Sequence, residues 1–368
     1  MAAQTLAIVG GPGSDGGRPA VGDHTWAAAR RLAFDCARPL GLERVPLGEA
    51  NGRTLAADLI TLQEMPHYAS SAMDGWAVCG DGPRVLREPG MPLGSSHAIL
   101  MVDGSAPAGE VLIPAGTTLN PAHVALAAVA GFDRLEVRGK PLVKILVSGS
   151  EVVTSRFPAA GQVRDAFGPP LGTVIGMLGG TPGPLVRIGD SYEEWLTGLG
   201  AAEAPMAQWP DVVVTTGGTG RFGADHFRKA IAALGGRLLI DGVAVRPGHP
   251  AALAKLPNGR FIIGLPGDPL AALMALFTVG GPLLAALGHQ PLAETTQVPC
   301  GETISAHPAS TRLMPFRWIS GLAVPARYAG PGMLRGLAAA DGFLVIPARG
   351  AQRGEPVAAL GLPWRPEL

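Results

Sequence analysis

Three apolar runs in the middle of the chain end in polar or glycine-rich turns, and those turns hold the residues best suited to chemistry. Leu146 and Val147 lead into Ser148, Gly149, Ser150 and Glu151. Val212, Val213 and Val214 lead into Thr215, Thr216, Gly217, Gly218, Thr219 and Gly220, with Asp225 close behind. Ile262 and Ile263 lead into Gly264, Leu265, Pro266, Gly267 and Asp268, and Pro269 then opens a long helical pattern. Such turns suit an anionic ligand. Glycines let it approach the backbone, and a helix N-terminus offers free N–H groups and the positive end of its dipole to phosphate. Each turn alone also has a plainer reading. Tight packing explains many glycines, Asp268 before Pro269 is an ordinary helix N-cap, and Asp225 is a first-turn charge.

The elements that must position these turns follow from periodicity. Strand-like and helix-like runs alternate from 141 to 290: strand 142–147, helix near 169–178; strand 185–188, helix near 191–199; strand 212–214, helix 224–234; strand 261–263, helix 269–279. That alternation predicts a parallel sheet with helices on both faces, a three-layer α/β/α domain. Ligands of such sheets bind outside the carboxyl ends of the strands, where all three turns fall. Before this domain, Trp26, Ala29, Leu32, Ala33 and Cys36 repeat at helical spacing until Pro39 stops them. Residues 40–140 and 291–368 read as short strands cut by Gly and Pro, the latter including 343–346. The expected organisation is a flexible tail over 1–22, an elongated N-terminal helix and strand region over 23–140, the α/β domain over 141–290 and a small C-terminal β-barrel-like domain over 291–368.

Composition narrows the function. Lys plus Arg and Asp plus Glu each number 29, so net charge is zero and nothing points to nucleic acid or an anionic membrane as main partner. The 368 residues are 47% apolar and only 16% charged, ample for sizeable cores. Cys36, Cys79 and Cys300 lie far apart with no CxxC pair, which fits a reducing compartment and no zinc or disulfide framework. No secretory signal is visible, so a cytoplasmic location is expected. The glycine-rich stretch 10–17 lacks the Gly-Lys-Ser/Thr of a phosphate loop. Residues 270–288 carry no charge and approach the length of a membrane span. Gly280, Gly281 and Pro282 interrupt them directly after a strand and tight loop, so the buried helix of an α/β domain is expected rather than a span.

The motifs in combination carry a resemblance. Ser71-Ala72-Met73-Asp74-Gly75-Trp76-Ala77-Val78 resembles the SAMDGYAV motif of the MoeA (molybdopterin molybdenumtransferase) family, to which the gephyrin E domain is related. Thr216-Gly217-Gly218 with Gly223, Ala224 and Asp225 resembles its SGGVSxGxxD loop. Gly242-Val243-Ala244-Val245-Arg246-Pro247-Gly248-His249-Pro250 resembles the segment ending KPGKP, and Gly264 to Pro269 resembles GLPGNP. Gly330-Pro331-Gly332-Met333-Leu334 and Ala340-Asp341-Gly342 match GSGML and ANG. The motifs occur in family order.

The resemblance implies insertion of molybdate into adenylylated molybdopterin with release of AMP, by a homodimer that uses Mg²⁺. It implies a central domain like molybdopterin adenylyltransferase and makes that enzyme a candidate partner. By position it assigns Asp74, Glu151, Asp190, Asp225 and Arg246 to catalysis, with Glu151 and Asp225 as metal ligands. Ser148, Gly149, Thr216, Gly217, Gly218, Thr219, Pro247, Gly248, His249, Pro266, Gly267, Asp268 and Pro269 are assigned to pterin and phosphate binding. The chain is a divergent member. Ser150 replaces an acid of TGDE, Gly242 and His249 replace lysines, Asp268 replaces an asparagine, and Asp165-Ala166-Phe167 replaces DSN. The inserted domain, about 75–112, is truncated, and its TGAP motif is only faintly matched at 102–108. Two readings stay open: a working transferase, or a non-catalytic scaffold that binds molybdopterin or a protein. A generic nucleotide-binding enzyme would need a fingerprint that is missing.

Overall fold

The computed structural model describes residues 23–65, 106–200, 209–220, 226–307 and 310–365. Asp74, Cys79 and the SAMDG-like segment, the 102–105 part of the TGAP-like stretch, and Gly223, Ala224 and Asp225 lie outside them. The chain divides into two compact units. One comprises Met1–Leu40 and Lys140–Leu368, and the other Gly41–Gly139.

The first helix, α1 (Trp26–Asp35), is capped by Thr25, whose hydroxyl accepts the Ala28 N–H at 3.2 Å. Its Trp26, Ala29 and Ala33 are buried, as their spacing predicts. The smaller unit is built from two antiparallel pairs. β1 (Leu42–Pro46) has β4 (Arg134–Arg138) as partner, and β2 (Leu59–Ile60) has β3 (Val111–Ile113). A helix, α2 (Pro121–Val129), starts on a reciprocal cap between Asn120 and His123. Val45, Leu55, Leu59, Ile113, Leu119, Leu135 and Val137 form its core.

The larger unit continues through β5 (Leu142–Ser148), β6 (Val152–Val153), β7 (Val163–Arg164), α3 (Gly168–Met177), β8 (Thr181–Ile188), α4 (Tyr192–Gly200), β9 (Val212–Thr216), α5 (His226–Ala233), β10 (Arg237–Asp241), β11 (Val245–Arg246), β12 (Ala252–Lys255) and β13 (Phe261–Leu265). Its main sheet has the order β10-β12-β13-β9-β5-β8. The last four strands run parallel, as the alternation predicts. The other two are antiparallel additions, so the sheet is mixed. The reason is chain length. A parallel crossover needs about a dozen residues or more, and only 256–260 connect β12 to β13, so a hairpin forms.

Alternate residues of each strand serve opposite faces. Val143, Ile145, Val147, Val212, Val214 and Ile263 pack with Leu171 and Ile175 of α3 and with the helical segment that follows β13. Leu146, Val213 and Ile262 pack against Trp195, Leu199, Phe227 and Ile231 of α4 and α5. This is the period of two expected of strands buried on both sides, and it gives the three layers.

The segment after β13 is α6 (Pro269–Ala275), a π-helical turn over Leu276–Gly280, and α7 (Gly281–Leu287). It is long and apolar enough to cross a membrane, yet 94% of its most apolar window is buried inside the fold, as a core helix is.

The last elements are β14 (Thr296–Pro299), β15 (Thr311–Ile319), β16 (Leu322–Pro325), α8 (Arg335–Ala338), β17 (Gly342–Ile346) and β18 (Pro356–Gly361). The strands form a second sheet in the order β11-β15-β17-β18-β14, with β16 beside β15. The barrel-like expectation is corrected here. The described strands form no closed barrel, and only a single bridge between Cys300 and Ala323 links β16 back to the end of β14. β16 is four residues long and leaves most of that seam unpaired. β11 also joins this second sheet, parallel to β15, so residues around Arg246 are tied to the C-terminal layer.

Candidate functional site

The carboxyl ends of the four parallel strands surround a cavity of about 370 Å³. Ser148, Gly149 and Glu151 enter it from the end of β5, Asp190 from beyond β8, Thr216, Gly217 and Gly218 from β9, and Gly267, Asp268 and Pro269 from beyond β13. Two bonds lash these turns together. The Ser148 hydroxyl donates to the Thr216 carbonyl, and the Gly217 N–H donates to the Leu265 carbonyl at 3.0 Å.

The glycines differ in purpose. Gly218 has φ +62°, and a Cβ there would lie 2.4 Å from Trp195 Cζ2. Its smallness is demanded by the Trp195 ring as much as by any ligand. At Gly267 the nearest atom to an added Cβ is Gly217 Cα at 3.9 Å, so this glycine faces open cavity. Thr216 is 1% exposed, yet its Oγ1 has no hydrogen-bond partner. A buried hydroxyl on a cavity wall without a partner suits a polar ligand or water.

At the described helix N-termini around the cavity, those of α3, α4 and α6, the protein itself meets part of the first-turn N–H groups, which narrows the expectation that they are free. At α6, the Leu270 and Ala271 N–H groups donate to the Pro331 carbonyl at 2.9 and 3.2 Å. Asp268 stands at the N-cap position, but its side chain makes no capping bond and is exposed toward the cavity. At α3, the Phe167 and Gly168 N–H groups donate to Asp165 Oδ1, each at 2.8 Å, while Arg187 bonds Oδ2 at 2.5 Å. Burial pushes the Asp165 carboxyl up, but the Gly168 N–H, Arg187 and the Phe167 N–H outweigh it and hold the group below the usual carboxylate range. At α4, Glu194 accepts from the Ser191 hydroxyl at 2.7 Å and the Gly189 N–H at 3.1 Å. The Ser191 hydroxyl first, then the Gly189 and Ser191 N–H groups, keep its carboxyl below its ordinary value.

The cavity wall is acidic. Glu151, Asp165, Asp190 and Asp268 face one lining cation, Arg164. Arg187 neutralises Asp165, and the Ser150 N–H donates to Asp190 at 2.9 Å. Among the described residues no three His, Cys, Asp or Glu side chains converge as a metal site would require. The described residues alone therefore do not make a Mg²⁺ site.

Several residues assigned by resemblance fall elsewhere. Thr219 is buried, its hydroxyl donating to the Leu265 carbonyl at 3.4 Å, and Pro266 is buried just after β13. Arg246, Pro247, Gly248 and His249 do not line the cavity. The Arg246–Pro247 peptide is cis, a Cβ at Gly248 would meet the backbone of α6 at 3.4 Å, and His249 Nε2 pairs with Asp23 Oδ2 at 2.9 Å. Asp74 and Asp225 lie outside the described residues. The structure adds Arg164 and the Asp165–Arg187 pair, which sequence reasoning did not assign. The signal was the DSN-like position of Asp165, with an arginine directly before it.

A three-layer domain with its cavity at the strand ends defines an α/β ligand-binding protein. Comparison with known proteins makes this specific. Residues 144–286 match the model of a probable molybdopterin binding domain, 24–105 the MoeA N-terminal region (domain I and II) and 297–362 the MoeA C-terminal region (domain IV). The chain belongs to the MoeA family. It is 27% identical over 306 residues to the molybdopterin molybdenumtransferase of Nostoc sp., covering 67% of this chain and 69% of that protein. It is also 27% identical over 344 residues to the Synechococcus elongatus molybdopterin molybdenumtransferase, covering 75% and 85%. The fold is similar to the crystal structure of the Pyrococcus horikoshii molybdopterin biosynthesis MoeA protein, with TM-score 0.69, 23% identity and coverage of 93% and 99%.

Proposed function

We propose that this chain acts in molybdenum cofactor assembly as a molybdopterin molybdenumtransferase, inserting molybdate into adenylylated molybdopterin as the phosphoanhydride is cleaved and AMP leaves. The observation that carries the reading is the cavity at the four parallel strand ends, all of whose lining except Gly332 falls in the segment that matches a molybdopterin binding domain. Thr216 Oγ1 and the open face of Gly267 receive the pterin phosphate, and Arg164 supplies the described cationic charge. Glu151 and Asp190 organise water and cations around molybdate. The substrates are anionic and the wall is acidic, so cation binding is part of the proposal, with Mg²⁺ the ion, Asp225 a further ligand, and no step assigned to the ion. Asp74 enters from a second subunit of a homodimer. A cytoplasmic location and transfer of substrate from the adenylyltransferase complete the reading.

The test is AMP release from adenylylated molybdopterin by purified protein, with and without molybdate, alongside sedimentation at micromolar concentration. Molybdate-dependent AMP release and a dimer are expected. Pterin binding without AMP release would reduce the chain to a binding scaffold, and a strict monomer would remove Asp74 from the site.

A further inference from the structure

A second cavity, of about 360 Å³, shares no lining residue with the first. Leu178, Pro282, Ala285, Leu360 and Leu362 make its walls apolar. One charged side chain on its lining is buried. Arg30, in the middle of α1, is 5% exposed. Its Nη1 donates to the Phe277 carbonyl at 3.3 Å and its Nη2 to the Ala293 carbonyl at 2.5 Å. The guanidinium carbon lies 4.8 Å from the centre of the Trp26 ring. No carboxylate pairs with it among the described residues. The acidic residue on the rim, Glu294, is exposed and makes no ion pair with it.

A guanidinium has five donors, and here two carbonyls and a ring face are its partners. Burial without a counter-ion is the costly state of a charge, and desolvation accordingly lowers the Arg30 pKa to about 10. The group remains a cation at neutral pH. A carboxylate is planar and accepts two parallel N–H bonds, the geometry a guanidinium recognises best. Apart from Gln290 and Glu294, the rest of the lining is mainly aliphatic and favours an apolar tail.

We propose that this cavity binds a small aliphatic carboxylate, its head on Arg30 and its chain among Leu178, Pro282 and Leu362. This site is independent of the proposed transferase activity.

Octanoate is the probe, with octanol as the uncharged control of equal length, titrated calorimetrically into the full-length protein. Octanoate is expected to bind at least about tenfold tighter than octanol, the worth of a charge-assisted bond, and to raise the melting temperature with concentration. Arg30→Met should abolish that preference. If Arg30→Met does not fold, Ala285→Phe leaves the cation in place and fills the chamber, and should lose both ligands. Glu294→Gln should bind octanoate at least as tightly as the parent. Equal binding of octanoate and octanol, or octanoate binding that survives Arg30→Met or Ala285→Phe, would overturn the proposal. So would tight octanoate binding seen only in Glu294→Gln, since Glu294 would then be the native counter-ion.

Discussion

The two cavities have nearly the same volume, 370 and 360 Å³, but opposite charge arrangements. At the strand ends, Glu151, Asp190 and Asp268 stand without ionic partners among the described residues, beside the N-termini of α3 and α6, part of whose N–H groups the protein itself satisfies. Beside α1, one buried guanidinium has no carboxylate. In the first cavity the lining carboxylates outnumber the one lining cation, Arg164, so an anionic ligand must bring or recruit cations. In the second, the cation is built into a helix. Charge of the wrong sign near an anion site is tolerated where water and ions reach it, whereas a charge without a counter-ion at 5% exposure favours a specific partner.

The largest effect that sharpens this comparison separates packing from ligand contact within the first cavity. Gly218→Val places carbon against the Trp195 ring, in a left-handed backbone conformation. We expect a loss of roughly 3 kcal/mol or more in urea unfolding, from overpacking plus backbone strain. Gly267→Ala points into open cavity and should cost no more than about 0.5 kcal/mol of stability while weakening pterin binding. If both variants unfold alike, or if Gly218→Val keeps parental stability, the division of roles between these glycines fails.

The next effect concerns a charge that is matched. Asp165 is 8% exposed and holds three donors. Asp165→Asn should cost about 1–3 kcal/mol at neutral pH, with the Arg187 share discounted because that side chain is 39% exposed. The folded-state pKa of Asp165 is lowered, so its stabilisation is full above the unfolded value of about 3.9 and is lost as pH falls through the folded value. Thermal melts at pH 7 and near pH 3 should show the gap between parent and variant narrowing in acid. A gap that is constant or widens would mean the carboxylate is not held ionised by these bonds.

Much of this architecture can be read from residues alone, and the failures have physical causes. The valines of β5 and β9 and the turns after them mark the strand ends because buried parallel strands are short, continuous and apolar. The antiparallel pair is hidden because Ala252 to Lys255 carries no period to distinguish hairpin from helix. What covers a helix N-terminus is a long-range fact. Pro331 lies far along the chain from Leu270, and no local pattern announces that its carbonyl will accept two N–H groups. The KPGKP-like stretch shows the same limit: β11 pairs with β15, and Arg246 and His249 do not line the described cavity.

A smaller effect tests the unmatched carboxylate that the sequence mistakes for a cap. Asp268 makes no capping bond, so Asp268→Asn should change stability by less than about 0.5 kcal/mol. It removes a negative charge beside an anionic ligand, and the group is exposed, so the gain in affinity for adenylylated molybdopterin should be up to about fivefold at low salt, an interaction of roughly 0–1 kcal/mol. The gain should shrink as ionic strength rises. Weaker binding by Asp268→Asn would mean the carboxylate serves the ligand or a cation bound with it.

The smallest effect is expected at His249, although the KPGKP motif it resembles has a lysine at that position. The ring is paired with Asp23 at 2.9 Å, and the Asp23 side chain is fully buried. A lysine there keeps a donor for that carboxylate, so His249→Lys should fold, with stability changed by no more than about 1 kcal/mol. Its charge would be spent on Asp23 rather than on the cavity. Affinity for adenylylated molybdopterin should therefore match the parent protein within about twofold, a difference of less than 0.5 kcal/mol, at pH 6 and at pH 8 alike. Combining it with Asp268→Asn should reproduce the Asp268→Asn gain without addition, because only one of the two residues lines the cavity. A clear rise for His249→Lys alone would bring the 246–249 segment back to the ligand, and the cavity wall would then include it.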